Sequence, residues 1–306
     1  MPSRLHQVYA RVVPKVRKAE EMGGPEPEER ARVVRWHTTL DRSFPTRAVP
    51  GFARSWSLAR EELVHGEVAF PAYTLTPRKG AVARTLFYLH GGGYMAPIDP
   101  FQVRYITRLA TAIGGARIVM PDYPLAPEHT WRDSHDAIVD LAARRAAEPG
   151  GISLVGDSSG GGYALAVAIS LRDRGLHQAD RLVLHAPWVD LTTSTPETDA
   201  YDEVDPWLFI GKLRAYALWW AGSPDDLGRP EVSPALADLA GLPPGLMFCG
   251  TRDLLVPGCR LLARRANEAG WDLTYVEQRD LIHAYPVLPF LPEARAAMST
   301  TARFLT

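Results

Sequence analysis

The sequence is short of several things, and each shortage narrows what the chain can be. Only two cysteines, Cys249 and Cys259, stand in 306 residues, which rules out a disulfide framework. Cys249 lies in an apolar, strand-like run, so a buried free thiol in a reducing compartment is expected. The formal net charge is −1, so no global field draws in nucleic acid or an anionic membrane. Lysine is confined to positions 15, 18, 79 and 212, a skew towards arginine read as genome-level bias rather than function. There is no apolar run of about 18 residues, and M-P-S-R-L-H-Q-V-Y-A-R-V-V-P-K-V-R-K at the N-terminus lacks the apolar centre of a signal peptide. Repeats and low-complexity tracts are missing too. The expectation is one cytoplasmic domain over 1–306, without nucleic-acid binding or stable membrane association.

What is present is an alternation of strand and helix patterns. Residues 3–22 and 26–44 carry apolar positions at helical spacing, the second opened by the acidic start Pro25-Glu26-Pro27-Glu28-Glu29. The first of these is basic and could suit a membrane surface, but packing of both on the body as a lid is the favoured expectation. Residues 56–75 read as an antiparallel strand pair at a sheet edge. Strands over 85–89, 117–120, 152–155, 182–185, 246–249 and 272–277 then alternate with helices over 101–113, 133–147, 258–269 and 293–305. That pattern predicts an α/β fold, a mostly parallel sheet covered on both faces. Residues 187–242 break the rhythm. They hold Trp188, Trp207, Leu208, Phe209, Tyr216, Trp219 and Trp220, and an insertion of this length suggests a lid or binding segment as well as an ordinary helix over 213–220.

Chemistry concentrates at Gly156-Asp157-Ser158-Ser159-Gly160, between a strand and a helix. This G-x-S-x-G turn would set the Ser158 hydroxyl on a tight elbow that tolerates only small neighbours. Upstream, His90-Gly91-Gly92-Gly93-Tyr94 follows a strand, and consecutive glycines free backbone amides to serve a developing oxyanion. Gly92, Gly93 and the amide of Ser159 are the candidate donors. A serine hydroxyl needs a base, and in this arrangement the chain order is Ser, acid, His. His283 is late enough to satisfy it, whereas His177 and His185 have no strand-end acid before them. Asp253, at the C-terminal end of the strand preceding it, is the leading acid; Glu277 and Asp280 are rivals by proximity.

Taken together, these motifs resemble the hormone-sensitive-lipase-like carboxylesterases of the α/β-hydrolases. Asp122-Tyr123-Pro124-Leu125-Ala126-Pro127-Glu128-His129 is similar to that family's Y-R-L-A-P-E-H, and Ala186-Pro187-Trp188-Val189-Asp190-Leu191 to its S-P-W-L-D-L. Similarity runs from about Phe87 to Tyr285. The resemblance implies Ser158 as nucleophile, His283 as base, Asp253 as acid and Gly92, Gly93 and Ser159 as oxyanion donors. It also implies a cap made of residues 1–45 and 188–242. Three departures stand out: Pro124 replaces an arginine, Ser159 an alanine, and the family's G-x-x-H-G-F ends here in His283-Ala284-Tyr285. They bear on substrate preference, not on the reaction.

The expected reaction is hydrolysis of short-to-medium acyl esters through an acyl-enzyme, with no cofactor and no metal. The expected partner is a small-molecule ester, and a homodimer is compatible with the chain. Tyr94, Trp207, Leu208 and Tyr285 are the candidate pocket residues. A lactone hydrolase or an amidase would use the same triad with a different pocket. A non-catalytic ligand-binding receptor on this fold would typically have lost the nucleophile or the base.

Overall fold

A computed structural model describes residues 2–17, 25–80 and 82–306. In chain order the elements are α1 (Arg4–Arg17), α2 (Glu26–His37), α3 (Phe52–Ser55), β1 (Trp56–His65), β2 (Val68–Pro77), β3 (Thr85–Leu89), α4 (Pro100–Ala112), β4 (Arg117–Pro121), α5 (His135–Ala146), β5 (Ile152–Asp157), α6 (Ser159–Asp173), β6 (Arg181–His185), α7 (Ile210–Ala221), β7 (Gly245–Arg252), α8 (Val256–Glu268), β8 (Leu273–Ile282) and α9 (Pro292–Leu305). Among the described residues the strands form one sheet of eight, in the order β1-β2-β4-β3-β5-β6-β7-β8. The β1–β2 and β2–β4 pairs are antiparallel and all others parallel. The expected antiparallel edge and parallel body are both there.

Central strands β3 and β5 are buried at every residue, as continuous apolar runs in a two-sided parallel sheet must be. One face is covered by α4 and α9, which pack on each other; α5, α6 and α8 cover the other. α4 begins at a capping box in which Asp99 and Gln102 satisfy each other's backbone amides. α6 runs buried from Ser159 to Leu171, and it can approach so closely because its first turn is glycine. A Cβ on Gly162 would run into the carbonyl of Trp188, and one on Gly160 into that of Leu89.

Boundaries differ from the sequence expectation where pairing or capping decides them. β7 and β8 pair from Gly245↔Leu273 through an irregularity to Arg252↔Ile282. β8 therefore extends past Glu277, and His283 follows the strand directly rather than after a loop. α2 stops at His37, where the Thr38 and Thr39 hydroxyls donate to the carbonyls of Arg35 and Trp36; residues 38–44 are not helical. The expected end of the first helix falls in 18–24, outside the described residues.

The two stretches expected to form a cap touch each other. Tyr216 of α7 donates its hydroxyl to Glu29 of α2 at 2.8 Å, Trp219 donates its indole N–H to Glu26, and the Lys212 ammonium lies 3.6 Å from Glu29. α1 lies against the other end of the chain: the Ser3 hydroxyl donates to Glu293 at 3.1 Å, and His6 Nε2 accepts the Ile282 amide at 3.2 Å. Among the described residues no helix is long and apolar enough to cross a membrane.

Candidate active site

Ser158 occupies the single step between β5 and α6, at φ 53° and ψ −126°. A non-glycine residue holds such a conformation only when its surroundings fix it. Here the Ser158 amide donates to the His185 carbonyl at 2.9 Å, and its own carbonyl accepts the Trp188 amide at 2.8 Å. From the far end of β8, His283 brings Nε2 to 2.9 Å from Ser158 Oγ, and its Nδ1 lies 2.9 Å from Asp253 Oδ2. Asp253 is fully buried just beyond β7, and its other oxygen accepts the Leu255 amide at 2.9 Å. The rivals turn elsewhere: Glu277 is engaged by Arg260 at 2.7 Å, and Asp280 is exposed beside Arg279.

Burial pulls the His283 pKa down, but the Asp253 carboxylate, and then Asp205 and Asp157, outweigh that and raise it above 6.5. His6, by contrast, is lowered by burial, which keeps its Nε2 an acceptor for the Ile282 amide next to the base. Ala284, where the resembling family has glycine, sits at φ 49°, and Asp280, the position three before the histidine, at φ 63°.

The glycine loop is anchored from beneath. Asp157 Oδ1 accepts the Gly91 amide at 3.0 Å and the Tyr88 hydroxyl at 2.5 Å, and Gln102 donates to its other oxygen at 3.1 Å. Burial raises the Asp157 pKa against these donors. Gly92 and Gly93 hold φ of 127° and 64°, a backbone only glycine enters freely. Their amides join no backbone hydrogen bond among the described residues. The Ser159 hydroxyl accepts the Tyr94 amide at 3.2 Å, so this side chain, and not only its backbone, holds the loop against the elbow.

A cavity of about 1200 Å³ opens over Ser158, His283 and Gly91–Gly93, walled by Trp207, Leu208, Lys212 and Tyr216 from the insertion and by Tyr9, Val33 and Trp36 from the N-terminal helices. Two of the candidate pocket residues are not part of it. Tyr94 is buried with its ring stacked on Trp220 at 4.2 Å and 5°. Tyr285 is buried in a cluster with Leu246, Phe248 and Leu281. Both aromatics belong to the core because the backbone at these loops turns their rings away from the cleft. Sequence reasoning also passed over the roles of Asp157 and Asp205. Asp157 had a signal, its place immediately before Ser158; Asp205 had none local enough to read.

Residues 86–287 match the model of a family described as the alpha/beta hydrolase fold. The chain is 33% identical to an acetyl-hydrolase of Streptomyces hygroscopicus, over 72% of this chain and 75% of that protein. It is 27% identical to an esterase of Acinetobacter venetianus, over 74% and 76%. An esterase of the bacterial hormone-sensitive lipase family superposes on the fold with a TM-score of 0.79 at 24% identity, covering 100% of this chain and 98% of that one. With its strand order, its elbow and these relatives, the chain belongs to this family of the alpha/beta hydrolase fold, and it is a carboxylic ester hydrolase.

Proposed function

We propose that the chain hydrolyses short-to-medium acyl esters through a covalent acyl-enzyme, with Ser158 as nucleophile, His283 as base and Asp253 as the acid that orients it. The observation that carries this is the unbroken line of 2.9 Å contacts from Ser158 Oγ through both His283 nitrogens to Asp253. His283 takes the hydroxyl proton as Ser158 attacks the ester carbonyl. The tetrahedral oxyanion is held by the amides of Gly92, Gly93 and Ser159, each donor contributing roughly 10²–10³ in rate. The imidazolium, stabilised by buried Asp253, returns the proton to the departing alcohol. Water then repeats the sequence on the acyl-enzyme, with His283 again the base.

The Glu29–Tyr216 and Glu26–Trp219 contacts support a two-part cap from residues 1–45 and 188–242 over this centre. The preference for short-to-medium chains draws support from the relative named an acetyl-hydrolase and from side chains of both stretches walling the cavity. Buried free Cys249 and Cys259 fit a reducing, cytoplasmic compartment. The test is turnover of a p-nitrophenyl ester series by purified protein. Activity should peak at short-to-medium chains and vanish in Ser158→Ala; turnover that survives Ser158→Ala would remove the assignment.

A further inference from the structure

A second buried carboxylate stands beside the triad. Asp205, in the insertion, is only 6% exposed. Its Oδ1 accepts the amides of Trp207 at 2.6 Å and Leu208 at 3.0 Å, closing a tight turn within its own segment. Its Oδ2 crosses to another part of the chain and accepts the amide of Leu254 at 2.7 Å, the residue directly after Asp253. The segment so tied matters to the site. Trp207 and Leu208 wall the cavity, and the Trp207 ring meets that of His283 edge-on, centroids 6.0 Å apart at 87°.

We propose that Asp205 is a positioning residue, whose carboxylate latches the pocket wall 205–208 onto the turn carrying Asp253 and whose negative charge strengthens His283 as the base. The proposal rests on the triad reading given above. The charged and titratable groups around it are Asp253 and His283 on the facing turns, with Asp157 on the far side of His283 and the Cys249 thiol donating to Asp253. Burial and the like charge of Asp253 raise the pKa of Asp205, while His283 and the amides of Leu254 and Leu208 favour its anion. That balance leaves its pKa at about 7, so the anion that adds to Asp253 in stabilising the imidazolium is present from about neutral pH upward.

The experiment compares Asp205→Asn with the unaltered enzyme on a p-nitrophenyl ester, recording kcat, KM and the pH profile of kcat/KM. Asparagine keeps an acceptor for Trp207 and Leu208 but turns its NH₂ towards the Leu254 amide and removes the charge. The expected result is kcat lowered roughly 10–100-fold by misplacement of the wall and turn. The acid limb of kcat/KM should also move to lower pH by about one unit, because His283 loses a neighbouring anion. An acid limb that stays in place overturns the proposal, whatever happens to kcat. Ser158→Ala in the same assay separates the two readings, since turnover surviving there removes the triad itself. If Asp205→Asn does not fold, hydrogen exchange on the unaltered enzyme decides: the Leu254 amide should be protected as deeply as that of Phe248 in β7, and rapid exchange overturns the latch.

Discussion

Ser158 holds a backbone conformation that its own side chain disfavours, and the neighbours that enforce it are the carbonyl of His185 and the amide of Trp188. Strain of this kind costs on the order of 1–3 kcal/mol, and it is maintained because it exposes Oγ to His283. In the proposed triad Asp253 orients His283, so Asp253→Asn should leave the fold intact and lower kcat about 10⁴-fold; steady-state kinetics with a circular dichroism control checks it. In its proposed role His283 can take a proton only when neutral. Because its pKa lies above 6.5 in the folded enzyme, activity should fall as pH drops through a value above 6.5, not below it, in a kcat/KM profile. Ala284 is a further strained position, at φ 49°. Ala284→Gly should raise stability by about 1 kcal/mol, against the usual cost of glycine, and a denaturant titration measures it. That Ser158, His283 and Asp253 come together was legible in the sequence because chain order and strand ends restrict the choice. The direction of a ring was not. Tyr94 sits in a chemical motif and Tyr285 beside the base, yet both rings are core, since which side of a loop a side chain takes depends on partners such as Trp220 and Phe248 far away in sequence.

Glycines of α6 and carboxylates of α2 decide how elements sit on one another. α6 lies against Trp188 with no room for a methyl group at Gly162. Gly162→Ala should therefore cost about 3 kcal/mol or more, while Gly228→Ala, with open space around it, should be nearly neutral; thermal unfolding compares the pair. Where α2 meets α7, Glu29 is buried, and although burial opposes its charge, hydrogen bonds from Arg32 and Tyr216 and the nearby Lys212 bring its pKa down to about 2. The sign follows from a folded value below the ordinary 4.5. The stability it contributes is complete above that ordinary value and is lost as pH falls towards about 2. Glu29→Gln should loosen α2 from α7, lowering stability by about 1–3 kcal/mol and raising KM more than it changes kcat. Strand–helix alternation placed nearly all of these elements from sequence. Their ends were less legible, because β8 is lengthened by pairing with β7 up to Arg252↔Ile282, and α2 is cut short by the hydroxyls of Thr38 and Thr39.

At the scale of the molecule, the cleft gathers side chains from across a 306-residue chain onto the C-terminal ends of β3, β5, β7 and β8. Tyr9 of α1 walls the cavity and meets Phe290 edge-on at 4.9 Å, while His6 and Ser3 bond to Ile282 and Glu293. α1 also leaves Leu5, Val8 and Val12 exposed, so its attachment rests on one face. Deleting residues 1–13 should lower both Tm and kcat without unfolding the sheet, read by calorimetry and the same ester assay. These long-range ties also impose an order in time. During synthesis α1 emerges well before the groups that receive it, Ile282 directly ahead of His283 and Glu293 beyond it. On the proposed roles, a nascent chain that has already produced the Ser158 elbow still lacks His283 and would be inert towards esters. Hydrolytic competence would wait for His283 to leave the ribosome, in the same stretch of chain that receives α1.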